Sequence, residues 1–110
     1  GHIMTSELLG LGLIDKADVK NENPDWPAYK KYFMHGTSHH MGLDTHDYGI
    51  LWEPMQANMV FTVEPGIYIP QEGFGIRLED DVVIQQTGAP FNLMRNIPIL
   101  ADEIEDLMNS

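Results

Sequence analysis

The pattern of apolar and polar positions divides the chain near residue 59. Between residues 5 and 33 apolar side chains recur at roughly helical spacing, interrupted by glycine and proline. Thr5 and Ser6 can cap a short helix carried by Leu9, Leu11 and Ile14, weakened by Gly10 and Gly12. Residues 23–27, Asn-Pro-Asp-Trp-Pro, break the chain, and Pro27 starts a second short helix through Tyr29 and Tyr32. From residue 59 the run MVFTVE is β-branched and aromatic, GIYI resumes after Pro65, and residues 75–85 form a third extended run after a turn at 71–74. A turn at 87–90, a short strand at 92–94 and a helix over 102–108 complete the chain. Consecutive strands joined by short turns pair antiparallel, so the class is α+β with a mostly antiparallel sheet and flanking helices.

The 110 residues suffice for one modest domain with a single core. The first four residues, GHIM, look like an expression-tag remnant, which sets His2 aside and leaves 5–110 as the domain. Apolar content of 43% against 21% charged residues is that of a folded chain. A formal charge of −11 repels phosphate backbones and anionic lipid, which excludes nucleic acid as a partner. No apolar run reaches the roughly 18 residues of a membrane span, and no basic leader precedes one, so the expected location is cytoplasmic. Cysteine is absent, so any metal must be held by imidazole and oxygen.

That restriction gives weight to HGTSHHMGLDTHD at 35–47, which holds four of the five histidines. His35 and His39 are four apart, and in an extended or open segment they share a face from which His40 points away. Glu64 closes an apolar strand before Pro65, where a carboxylate costs several kcal/mol unless a cation or donors receive it. Glu79, Asp80 and Asp81 are adjacent acids in a strand that continues into Val82-Val83-Ile84, and they require compensation. Arg77 and Glu79 share a face about 7 Å apart along the strand, close enough for the guanidinium to order acids around a common site. Imidazoles and carboxylates without thiolates suit manganese, iron, cobalt or zinc, and hydrolytic chemistry.

Three segments in order, HGTSH with GLDTHD, then VEPGIY, then GIRLED, resemble the pita-bread metallopeptidases of the creatinase and prolidase kind. The HGxSH and GIRLED forms look most like the aminopeptidase P branch, and the likeness spans residues 8–108. The resemblance implies the carboxy-terminal part of a pita-bread catalytic domain. It makes His39, Glu64 and Glu79 metal ligands, with Glu79 bridging two divalent ions, manganese first and cobalt, zinc or iron as alternatives. Glu64 doubles as the base that deprotonates the attacking water, while His46 and His35 face the substrate. Tyr68 and Arg77 steady a ligand carboxylate. The implied substrate is a peptide with proline in second position. Prolidase-type dipeptidase action and a non-catalytic binding module are the alternatives.

The family pattern also uses two aspartates from an upstream strand hairpin, and no such segment occurs here. The chain is therefore expected to need the missing amino-terminal part of the same polypeptide as a partner. By itself it should be inactive, bind one ion or none, and self-associate into homo-oligomers through bared apolar surface.

Overall fold

The computed structural model describes residues 1–110. Its elements run α1 (His2–Gly10), α2 (Lys16–Lys20), β1 (Val60–Val63), β2 (Gly66–Ile69), β3 (Phe74–Arg77), β4 (Asp80–Val83), β5 (Phe91–Asn92) and α3 (Ala101–Met108). Where length alone suggests one core, the chain divides into two compact units. One comprises Gly1–Gly36 with Gly66–Ile76, the other Thr37–Pro65 with Arg77–Ser110.

The first unit is built around Leu8, Ile14 and Tyr32, with Met4, Val19, Tyr29, Ile67 and Ile69 packed against them. Helix α1 departs from expectation at both ends. It begins at His2 with no side-chain cap and ends at Gly10, so neither Thr5 nor Ser6 caps it. Gly12 then adopts φ +72° and turns the chain so that Leu13 N–H donates to the Leu8 carbonyl at 3.0 Å. Helix α2 escaped the hydrophobic pattern because its start is polar. Asp15 and Asp18 form a reciprocal capping box, at 2.8 Å and 2.9 Å. The proline-led helix is confirmed as a 3₁₀ turn over Ala28–Lys31 with Pro27 as its cap.

Strands β2 and β3 form a hairpin. Its turn closes at Gly73, which has φ +72° and donates to Ile69 at 3.1 Å. The Tyr68 ring lies against glycine on two sides: a Cβ on Gly75 would come within 2.5 Å of the ring, and one on Gly66 within 2.8 Å of the hydroxyl. Only glycine admits the ring there.

In the second unit a three-stranded sheet has the order β1-β4-β5. Strands β1 and β4 are antiparallel, with Phe61 opposite Val82, Thr62 opposite Asp81 and Val63 opposite Asp80. Two strand expectations are corrected here. The run 75–85 is broken at Leu78-Glu79 into β3, paired with β2, and β4, paired with β1. Strand β1 takes β4 rather than its sequence neighbour β2, its ladder running from Val60 opposite Val83 to Val63 opposite Asp80. The short strand expected at 92–94 falls at Phe91–Asn92.

Residues 37–41 form no regular strand, yet they run antiparallel along the free edge of β1. Glu64 N–H donates to Thr37 O (2.7 Å), Thr62 N–H to His39 O (3.0 Å) and Met41 N–H to Val60 O (3.0 Å). Phe61 and Thr62 are the unit's buried pair, so β1 is covered on both faces. No helix in the chain is long and apolar enough to cross a membrane.

Candidate metal centre

The site follows from two backbone facts. Continuing the β1–β4 register one rung past Val63 and Asp80 brings Glu64, just beyond β1, opposite Glu79, just before β4. Side chains alternate along a strand and directly opposed residues share a face, so Thr62, Glu64, Glu79 and Asp81 lie on one side. The edge segment then lays His39 against the same side through its backbone bonds to Thr62. Donor atoms of His39, Glu64 and Glu79 all lie within 4.8 Å of one another. His39 and Glu64 are partly buried and Glu79 is exposed.

Hydrogen bonding orients the imidazole. His39 Nδ1 lies 2.9 Å from the His40 carbonyl, which only accepts, so Nδ1 carries a proton. Nε2 then faces Glu64 Oε1 at 3.1 Å. A neutral ring would set a lone pair against a carboxylate oxygen, an arrangement that needs a proton or a cation between the two. That donor set, one imidazole and two carboxylates with the other ring nitrogen committed to a carbonyl, fits a divalent ion. Arg77 supplies the compensating charge, its Nε 3.7 Å from Glu64 Oε2 and 3.6 Å from Glu79 Oε2.

The remaining candidates are placed as follows. His46 is exposed and its ring packs at a tilt of 41° against His39, centroids 4.3 Å apart, in a loop tied by the Asp47 N–H to His40 carbonyl bond at 3.0 Å. His40 packs its ring on Phe61 at 4.4 Å, which gives it a structural task. It lines a cavity of about 390 Å³ with His39, Tyr48, Met55 and Met59. His35 and Tyr68 belong to the first unit. His35 Nδ1 meets the Gly36 carbonyl at 2.7 Å, so Nε2 accepts from the Tyr68 hydroxyl at 2.8 Å, and the pair is locked in one tautomer. The Tyr68 hydroxyl is thus engaged by an imidazole rather than a carboxylate.

Sequence reasoning passed over Thr62, whose hydroxyl joins two of the three donors. A polar residue two positions before Glu64 on the same strand face was the available signal. Asp81, read only as one of three acids, has a buried Oδ1 with no hydrogen-bond partner.

Residues 8–86 match the profile of metallopeptidase family M24. The Xaa-Pro aminopeptidase of Escherichia coli is 43% identical over 97% of this chain and 26% of its own length. Human Xaa-Pro aminopeptidase 3 is 38% identical over 96% of this chain and 23% of its own. Among solved structures, the aminopeptidase PepP of Pseudomonas aeruginosa superposes with a TM-score of 0.77 at 35% identity, over 96% of this chain and 26% of that one. The chain spans about a quarter of the length of these relatives. The profile covers most of the chain and includes all three converging donors, and the fold agrees: this chain belongs to metallopeptidase family M24.

Proposed function

We propose that this chain forms part of a metal-dependent aminopeptidase that releases the N-terminal residue from peptides with proline in second position. The observation that carries the reading is the convergence of His39, Glu64 and Glu79 on one sheet face. These three would hold a divalent ion, with manganese the first candidate for a nitrogen and oxygen donor set. When bound, the ion supplies Lewis-acid polarisation that lets water attack a peptide carbonyl at neutral pH.

The chain's own groups account for the remaining steps. Glu64 is the base: the Thr62 hydroxyl donates to its Oε1, which fixes the carboxylate for proton uptake from the attacking water. Arg77, between Glu64 and Glu79, keeps both carboxylates aligned. The exposed His46 ring, packed at a tilt against His39, donates to the peptide oxygen as negative charge develops. His35, whose tautomer the Gly36 carbonyl sets and whose Nε2 faces Tyr68, is the proposed substrate-facing group of the first unit.

Three ligands serve one ion well and two poorly. The 110-residue chain should therefore bind one manganese ion and hydrolyse no peptide, whereas a polypeptide of the relatives' length carrying it should release the first residue of a penultimate-proline peptide. Calorimetry counts the ions and chromatography follows the release. Two tight sites on the 110-residue chain would overturn the ligand assignment. Hydrolysis by the longer polypeptide that survives exhaustive chelation would remove the metal from the mechanism, and cleavage confined to Xaa-Pro dipeptides would move the activity to the dipeptidase class.

A further inference from the structure

Thr62 is the most deeply buried polar side chain in the protein, 1% exposed, at a position where valine would fill the same volume. Two side-chain hydrogen bonds account for it, beside a backbone bond that valine would keep. Its N–H donates to the His39 carbonyl at 3.0 Å, its Oγ1 accepts the His39 N–H at 3.1 Å, and its hydroxyl proton goes to Glu64 Oε1 at 3.1 Å. A hydroxyl has one proton to give. Here Glu64 receives it, while Asp81, directly across the strand pair, keeps a buried oxygen with no partner.

We propose that Thr62 is the positioning residue of the metal centre, a single hydroxyl that fixes the backbone of one ligand, His39, and the carboxylate of another, Glu64. The inference rests on the reading of His39, Glu64 and Glu79 as ligands. The physical reason is preorganisation. One bond from the Thr62 N–H and one to the Thr62 hydroxyl clamp the His39 backbone to β1, so the ring can change only its own torsions. A glutamate side chain has three rotatable bonds, and the bond to Thr62 removes much of that freedom before an ion arrives. Without the hydroxyl, the His39 N–H loses its acceptor and Glu64 its fixed donor, so both ligands must be ordered at the expense of ion binding. Loss of such outer partners typically lowers metal affinity about 10–100-fold.

The test is a cobalt(II) titration of the 110-residue chain, followed by calorimetry and by the visible d–d absorption that reports ligand geometry. Thr62→Val should lower affinity at least tenfold and alter the absorption band. Thr62→Ser, which keeps the hydroxyl and loses only a methyl group, should stay within about threefold of the parent. If Thr62→Val binds as tightly as the parent, or Thr62→Ser loses as much as Thr62→Val, the residue merely packs and the proposal fails. His39→Ala separates this from failure of the ligand reading: a parent chain that takes up no cobalt, or a His39→Ala variant that takes it up unchanged, overturns the metal centre itself. Should Thr62→Val not fold, amide hydrogen exchange at His39 in the unaltered chain decides. Slow exchange is expected from the bond to Oγ1, and unprotected exchange overturns the proposal.

Discussion

Replacing Arg77 by glutamine removes the only cation within ion-pair distance of two carboxylates whose donor oxygens lie within 4.8 Å of each other. At 4.8 Å two like charges repel by about 0.9 kcal/mol in bulk water and about 3.5 kcal/mol at an effective dielectric of 20. Glu64 is only 14% exposed, whereas Glu79 is 40% and Arg77 50% exposed, so solvent screens much of the upper figure. The ion-free Arg77→Gln chain should therefore be less stable than the parent by about 1–2 kcal/mol. A divalent ion restores the missing positive charge, so saturating manganese should close at least half of that gap, since what binds only the folded state stabilises it. Urea unfolding followed by circular dichroism, with manganese and with chelator, measures both numbers. Adding Glu79→Gln to Arg77→Gln should also recover stability, because one of the two repelling charges is gone. A gap unchanged by manganese and by the second substitution would show that Arg77 acts by packing, and the charge-compensation argument would be wrong.

Two further outcomes concern the fold. Leu8, wholly buried in the first unit, should cost about 2–5 kcal/mol when changed to alanine, read as a lower urea midpoint at unchanged slope; a loss below about 1 kcal/mol would mean that this core does not hold its unit together. Asn58 sits at φ 72° where β1 begins and donates to Ile84 at 2.8 Å. Asn58→Gly should be tolerated, while Asn58→Ala should be less stable than Asn58→Gly by about 1 kcal/mol because a Cβ is penalised in the left-handed region; equal stability of the two variants would count against that conformation.

Much of the chemistry was legible in one dimension. An absence of cysteine, imidazoles gathered at 35–46, an acid at the end of an apolar strand and an Arg-Leu-Glu-Asp run together pointed to imidazole and carboxylate donors, because coordination chemistry constrains residue types before it constrains positions, while the choice of His39, Glu64 and Glu79 among them came from the likeness of the three motifs to the metallopeptidases. The extended character of residues 59–69 and the terminal helix were equally local, since β-branched runs and apolar residues at helical spacing express backbone preferences that need few distant partners. The pairing was not local. Nothing near Val60–Val63 says that its partner is Asp80–Val83 rather than the adjacent Gly66–Ile69, yet that register alone carries Glu64 and Glu79 to facing positions. Nor does the spacing of His35 and His39 reveal that one joins Tyr68 in the first unit while the other lies along β1 in the second. Residue identity determined which atoms can bind a cation. Strand register, settled by distant backbone hydrogen bonds and by burial on both faces of β1, decided which of them meet, and made of Thr62 a contact between His39 and Glu64 that no property of threonine itself announces.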